Sequence, residues 1–154
     1  MGFGESPDRA LSYGELDAAA RSLAALLGAR LPVGARALLL YPSGIDFVVA
    51  FFACLYAGVI AVPAYPPRRN YNLGRLEAMA ADCAPQLVLS TASVIEQSRP
   101  WLPADSALAA LAWQATDRLA AAPPGAWRPV PSGAQDIAFL QYTSGSTGSP
   151  KGVM

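Results

Sequence analysis

The sequence predicts an α/β fold in which a sheet with parallel strands is flanked by helices. Short apolar runs alternate along the chain with helix-length segments, and two runs, residues 37–41 and 59–62, enclose one such segment. A strand, a helix and a second strand at this spacing are typical of a βαβ unit with parallel strands. With 154 residues, the chain has the length of one domain and can bury a core.

The first helix is predicted from a capping box. Ser12 and Glu15 have the spacing at which the serine hydroxyl accepts from the Glu15 N–H while the glutamate reaches back. We expect this helix to end near Gly28. Its inward stripe is predicted to comprise Leu16, Leu23, Ala24, Leu26 and Leu27.

The stretch from Phe47 to Tyr65 carries no charge and is long enough to suggest a membrane span. Gly58 and Pro63 divide it, which instead favours a helix followed by a short buried strand. We expect Ser43 to cap this helix and Gly58 to end it. The strand over residues 59–62 should then close at Pro63.

Further elements follow in the same alternation. Asn72 is predicted to cap a helix. Residues 86–90 are predicted to form a strand, and residues 92–97 are predicted to form a short helix. The helix after Asn72 should turn Leu73, Leu76, Met79, Ala80 and Cys83 inward. Residues 107–122 leave helix and strand both open. Trp127 should anchor the loop of residues 122–133, and residues 136–142 should form a last strand.

Composition excludes several classes of function. The net charge is zero with dispersed arginines, so no nucleic-acid-binding footprint is present. The absence of histidine excludes a histidine base or metal ligand within this chain. Cys54 and Cys83 are expected to be buried thiols, and the absence of a signal peptide predicts a cytoplasmic location.

Only 14% of residues are charged and 53% are apolar. Either an alanine-rich composition or an apolar surface covered by other protein explains these values.

Residues 143–152 have the composition of a phosphate-binding loop. They contain five hydroxyl side chains, three glycines and Lys151, the only lysine of the chain. Glycines let backbone N–H groups converge on an anion, and a lysine adds a charge on a flexible stem. The spacing is not that of the P-loop, since Pro150 stands where that motif has its second glycine. A solvated, hydroxyl-rich tail is the alternative.

Other candidates are weaker. The acidic pairs Glu15/Asp17 and Glu77/Asp82 are more typical of a solvated helix surface than of acid/base catalysis. Tyr65 and Trp127 could contact a ligand but fit anchoring roles better.

Residues 142–153, Tyr-Thr-Ser-Gly-Ser-Thr-Gly-Ser-Pro-Lys-Gly-Val, resemble the phosphate-binding signature of the adenylate-forming superfamily. That superfamily includes acyl-CoA synthetases, nonribosomal peptide adenylation domains and luciferases. Residues 11–16 and 57–63 resemble the same superfamily, so the resemblance covers nearly the whole chain. Residues 65–70, 75–78 and 82–85 are most similar to fatty acyl-AMP ligases.

The resemblance implies a ligase that activates a fatty acid with ATP, releasing pyrophosphate, and passes the acyl group to an acyl carrier protein. Such enzymes often serve a polyketide or nonribosomal peptide synthase. By resemblance, the nucleotide-binding residues are Thr143, Ser144, Gly145, Ser146, Thr147, Gly148 and Lys151. No catalytic residue is expected in this chain, and the Mg²⁺ ligand is expected outside it.

The resemblance also implies that residues 1–154 are the N-terminal fragment of an AMP-binding (adenylation) domain that ends just after the phosphate loop. The rest of the large domain and the C-terminal domain would be absent, and we expect the chain alone to form no acyl-adenylate. The alternatives are a fragment of an acyl-CoA ligase or of an amino-acid adenylation domain, or a non-catalytic α/β piece.

Overall fold

The structure is a computed structural model that describes residues 10–69, 71–143 and 151–154. Its helices are α1 (Tyr13–Gly28), α2 (Ile45–Ala57), α3 (Leu73–Cys83), α4 (Ala92–Ser98) and α5 (Ala107–Ala110). Its strands are β1 (Arg36–Leu40), β2 (Ile60–Ala64), β3 (Leu87–Ser90), β4 (Trp113–Ala115), β5 (Gln141–Thr143) and β6 (Lys151–Val153). Short 3₁₀ turns cover Arg99–Trp101 and Thr116–Arg118.

The main sheet confirms the predicted parallel α/β architecture. Within the described residues it has the strand order β2-β1-β3-β4, and every pairing in it is parallel. Leu38 of β1 pairs with Val62 on one side and with Val88 on the other. The first βαβ unit therefore consists of β1, α2 and β2, as the spacing of the apolar runs predicted.

The sheet is covered on both faces. Alternate residues of β1 point to opposite sides, so Leu39 packs in one core cluster with α1 and α2, whereas Leu38 and Leu40 pack in another with α3. All three leucines are fully buried. Strands buried on both faces contain continuous apolar runs, which is why β1 was recognisable in the sequence.

The predicted helix signals are largely confirmed. Ser12 and Glu15 form the capping box of α1, and Gly58 ends α2 in the left-handed conformation with φ 66°. The predicted inward stripe of α3 is buried at four positions, with Leu73 partly buried. Among the described residues, no helix has both the length and the apolar character needed to cross a membrane.

One predicted cap is wrong, and another is confirmed in position but not through its side chain. Helix α2 begins one residue later than a Ser43 cap requires, and its N-cap is Gly44, which contributes no side-chain hydrogen bond. Asn72 does occupy the N-cap of α3, but its side chain turns back to the preceding loop. It accepts from the Arg68 N–H at 3.1 Å and donates to the Pro66 carbonyl at 3.3 Å.

Pro63 does not close β2, as the sequence had suggested, but lies within it and pairs with Leu39. The outer edge of β2 bonds to residues 138–140 only around Ala61, whose carbonyl accepts from the Leu140 N–H at 2.9 Å. The next donor along that edge would be Pro63, which has no N–H. The pairing therefore stops, and the predicted strand 136–142 is reduced to an isolated bridge at Phe139 and the short strand β5.

Residues 107–122, for which the sequence left helix and strand both open, contain one of each: α5 is followed by β4.

The anchoring role of Trp127 is confirmed. Its indole N–H donates to the Tyr56 carbonyl at 3.0 Å, and the Arg21 guanidinium lies 4.7 Å from the ring centroid.

Candidate functional site

The candidate phosphate loop is carried by an antiparallel hairpin. Thr143 at the end of β5 pairs with Lys151 at the start of β6, and Tyr142 pairs with Gly152. Both Thr143 and Lys151 are exposed. Five further predicted nucleotide-binding residues lie outside the described residues: Ser144, Gly145, Ser146, Thr147 and Gly148. The structure thus brings the two ends of the predicted loop together.

The hairpin is attached to the main sheet through β2. The Ala61 N–H donates to the Ala138 carbonyl at 3.4 Å, and Leu140 returns a bond to the Ala61 carbonyl. Phe139 also packs against Phe51 of α2, with ring centroids 5.5 Å apart. The chain therefore enters β5 from a fixed position beside the sheet.

Helix α3 makes the second attachment. The buried Tyr142 side chain donates its hydroxyl to Asp82, and the Arg75 guanidinium donates to the Tyr142 carbonyl at 3.3 Å. Burial and the neighbouring Asp82 raise the pKa of the Tyr142 phenol, so it remains a protonated donor near neutral pH. Two groups of one helix thus hold a single residue of the hairpin.

Strand β6 packs closely against the ring of Tyr142. A Cβ atom added to Gly152 would lie 3.1 Å from Tyr142 Cζ and 3.2 Å from its hydroxyl oxygen. Glycine therefore lets β6 approach the ring that α3 holds. Packing against Tyr142 thus favours glycine at position 152, independently of any part that Gly152 has in phosphate binding.

A cavity of about 840 Å³ borders the hairpin. It lies at the carboxyl ends of β1 and β2, the edge of a parallel sheet at which ligands commonly bind. Its lining comprises Tyr41, Pro42, Ser43, Phe47, Pro63, Ala64, Tyr65, Arg68, Tyr71, Asn72, Arg75, Leu76, Met79, Gln141 and Tyr142. Aromatic and apolar groups thus combine with two guanidinium groups beside the strand that leads into the loop.

The crevice between the carboxyl ends of β1 and β3 is filled by the protein's own groups. Ser90 donates its hydroxyl to the Leu40 carbonyl, and the Tyr41 and Thr116 hydroxyls lie 2.8 Å apart. Asp117 accepts from the Ala92 N–H at 2.8 Å at the start of α4. These contacts leave the open space on the other side of β1, next to β5.

The acidic pairs noted in the sequence have separate structural partners. Glu15 accepts from Ser12, and Asp17 accepts from Tyr56 at 2.9 Å and pairs with Arg21 at 2.8 Å. The Glu77 carboxylate accepts from Ser106 and from the Ala107 N–H, whereas Asp82 accepts from Tyr142. Neither pair is arranged as an acid/base dyad.

The sequence pattern predicts no role at the loop for Arg75 and Asp82. They are seven residues apart on α3, a spacing that places two side chains on one helix face. This spacing can be seen in the sequence, but the sequence does not show that Tyr142 contacts this face of α3. Tyr65 lies at the cavity as a mostly exposed side chain, while Trp127 is absent from the cavity lining.

Comparison with known proteins supplies the family context. The family described as AMP-binding enzyme matches residues 3–154. The medium-chain-fatty-acid–[acyl-carrier-protein] ligase JamA of Moorena producens is 41% identical, over 98% of this chain and 26% of its own length. The long-chain-fatty-acid–AMP ligase FadD32 of Mycobacterium marinum is 34% identical, over 95% of this chain and 23% of its own.

Solved structures show the same relationship. The fatty acyl-adenylate ligase from L. pneumophila, solved in complex with acyl adenylate and pyrophosphate, superimposes with a TM-score of 0.84 at 35% identity. That alignment covers 99% of this chain and 26% of the solved one. A fatty acyl CoA synthetase of Mycobacterium tuberculosis superimposes with a TM-score of 0.71 at 29% identity. The chain spans about a quarter of the length of the relatives it matches.

Proposed function

This chain belongs to the AMP-binding enzyme family, and we propose that in the complete protein it supplies the pyrophosphate-binding loop of a fatty acyl-AMP ligase. The observation that carries the proposal is the pairing of Thr143 with Lys151. It closes a segment rich in hydroxyl and glycine residues and places the chain's only lysine at its exit. The loop residues concerned are Thr143, Ser144, Gly145, Ser146, Thr147, Gly148 and Lys151.

The reaction proposed for the complete protein is acyl-adenylate formation. A fatty acid carboxylate oxygen attacks the α-phosphorus of ATP, a new P–O bond forms, and the bond between that phosphorus and the bridging oxygen to the β-phosphate breaks. The electron pair leaves with pyrophosphate. Donors that meet this departing charge lower the barrier, and the Lys151 ammonium with the Thr143 hydroxyl are of the right kind.

Magnesium is proposed as a cofactor of the complete protein together with ATP. Among residues 10–69, 71–143 and 151–154, no group of three histidine, cysteine or acidic side chains could hold a metal ion. We propose that the magnesium ligand of the complete protein lies outside residues 1–154.

The acceptor of the acyl group is proposed to be an acyl carrier protein, within or beside a polyketide or nonribosomal peptide synthase. The acyl carrier protein named as acceptor for the JamA ligase supports this choice. Coenzyme A is the alternative, because a fatty acyl CoA synthetase shares the fold at 29% identity. We also propose a cytoplasmic location and a role in lipid metabolism.

The test is ATP–pyrophosphate exchange by the complete protein with fatty acids of increasing length and, in parallel, with amino acids. We expect exchange with fatty acids only, and a loss of about 100-fold in kcat/KM for Lys151→Ala, the size typical of removing one transition-state donor. Thr147→Ala should also lower the rate. Arg118→Ala is the control, because Arg118 pairs with Glu96 on the exposed surface.

Each outcome has a defined meaning. Exchange that depends on amino acids would favour the amino-acid adenylation alternative. Unchanged activity in both Lys151→Ala and Thr147→Ala would remove the phosphate role from this loop. Acyl transfer to coenzyme A in preference to a carrier protein would overturn the proposed acceptor.

A further inference from the structure

Tyr142 connects the candidate loop to a helix that is distant in sequence. Its hydroxyl donates to Asp82, sixty positions earlier in the chain, and its carbonyl accepts from Arg75. Tyr142 is only 5% exposed, although it directly precedes the exposed Thr143. A buried, doubly bonded residue thus lies next to the first residue of the loop.

The same side chain also sets the position of the returning strand. Tyr142 pairs with Gly152, and its ring occupies the space that a Cβ at position 152 would need. Lys151 is covalently joined to Gly152 and pairs with Thr143. The Tyr142 ring therefore limits how closely β6 can approach β5, the two strands that carry Lys151 and Thr143.

We propose that Tyr142, Asp82 and Arg75 are positioning residues that hold the loop at the correct place for pyrophosphate. The inference rests on the proposed function and adds which residues outside the loop control it. We assign them a positioning role because Asp82 and Arg75 bind Tyr142, and the Tyr142 ring packs against the strand that carries Lys151. Misplacing a binding group by about 1 Å can cost as much as 100-fold in rate, so such anchoring has a kinetic consequence.

The chain offers a matched control for the key hydrogen bond. Tyr56 of α2 donates its hydroxyl to Asp17 of α1 at 2.9 Å, which is a second tyrosine–aspartate bond between two elements. Neither of these residues belongs to the hairpin, to α3 or to the lining of the cavity. Tyr56→Phe therefore removes the same type of bond without touching the attachment of the loop.

The experiment compares Tyr142→Phe with Tyr56→Phe in the complete protein. Phenylalanine keeps the ring above Gly152 and removes only the hydroxyl. We expect Tyr142→Phe to raise the KM for ATP in pyrophosphate exchange by about tenfold, the scale of losing a hydrogen bond to a charged group. The KM for the fatty acid should stay within about twofold, since only an interaction specific to the phosphates has been disturbed.

A second pair of variants tests the acceptor. Asp82→Asn retains an oxygen that can accept from Tyr142, so its KM for ATP should stay close to the wild-type value. Asp82→Ala removes that oxygen, so its KM for ATP should rise as in Tyr142→Phe. Hydrogen exchange provides an independent readout. The amides of Thr143 and Lys151 should exchange faster in Tyr142→Phe than in wild type, and should be unchanged in Tyr56→Phe.

The failure of this inference differs from the failure of the proposed function. If wild type exchanges pyrophosphate and Tyr142→Phe matches Tyr56→Phe in both KM values, the positioning role is wrong while the loop function stands. If wild type catalyses no exchange with any fatty acid, the proposed function falls and this inference with it. Equal KM values for ATP in Asp82→Ala and wild type would also overturn the positioning role.

Discussion

Thr143 and Lys151 face each other across an antiparallel pair, so the residues between them start and finish at one place on the protein. A loop that closes on itself can direct its backbone N–H groups and hydroxyls towards a common point. The pair sits beside a cavity at the carboxyl edge of the main sheet. The pairing of the two loop ends and the neighbouring cavity are the two observations that support the anion site proposed above.

Gly152→Ala should disturb the hairpin. The new Cβ would approach the Tyr142 ring to 3.1 Å, and that ring cannot move away freely because Asp82 holds its hydroxyl. We expect a loss of about 1 kcal/mol in the free energy of unfolding, measured by urea denaturation. Gly133→Ala is the control, since the nearest atom to its Cβ is 4.0 Å away. Equal stability of the two variants would contradict the close packing described here.

Gly58→Ala should be more damaging, because two costs coincide. Gly58 has φ 66°, and a Cβ there would lie 3.0 Å from Val130 and 3.1 Å from Val33. We expect a loss of about 2 kcal/mol in the free energy of unfolding, since the left-handed conformation alone costs 1–2 kcal/mol with a side chain. Gly74→Ala should instead leave stability equal or slightly higher, because that Cβ meets no atom within 4 Å and lies in a helix. A Gly58→Ala variant as stable as wild type would contradict this assignment.

Two carboxylates of α1, Glu15 and Asp17, should make the free energy of unfolding depend on pH in the acidic range. The backbone N–H and the hydroxyl of Ser12 lower the pKa of Glu15 from 4.5, and hydrogen bonds from Arg21 and Tyr56 lower that of Asp17 from 3.8. Carboxyl groups with a lower pKa in the folded state add stability above their unfolded pKa and lose it as the pH falls through the folded value.

The measurement is a series of urea unfolding curves from neutral pH down to the acid limit of folding. Stability should decline as the pH falls below about 4.5, the ordinary carboxyl value. A Glu15→Gln/Asp17→Asn variant should show a shallower decline. Identical slopes for that variant and wild type would show that these two carboxylates are not the source of the pH dependence.

The two cysteines should be unreactive in the folded protein. Cys54 and Cys83 are free and buried, and burial raises the pKa of the Cys54 thiol to about 12. Alkylation requires the thiolate, so iodoacetamide near neutral pH should modify neither thiol until the protein is unfolded in urea. Mass spectrometry with and without urea provides the measurement, and rapid modification of native Cys54 would contradict its burial.

Much of the fold could be read from the sequence because the signals are local. The capping box at Ser12 and the left-handed Gly58 reflect energies decided within a few neighbouring residues. The continuous apolar run of β1 is also confined to five consecutive residues, although its cause is burial on both faces of the sheet. The family resemblance of residues 142–153 is likewise contained in one short segment. The loop residues themselves remain a sequence-based prediction, since 144–150 lie outside the described residues.

Local sequence patterns were enough to predict the α/β class, most of the helices and strands, and the position of the candidate loop. The residues that hold this loop in place became visible only in the folded chain. The contact between Tyr142 and Asp82 joins residues sixty positions apart, and no local pattern encodes which surface of α3 meets β5. The fold also decides that Pro63 ends the outer pairing of β2, because a missing N–H matters only once a neighbouring segment lies beside it.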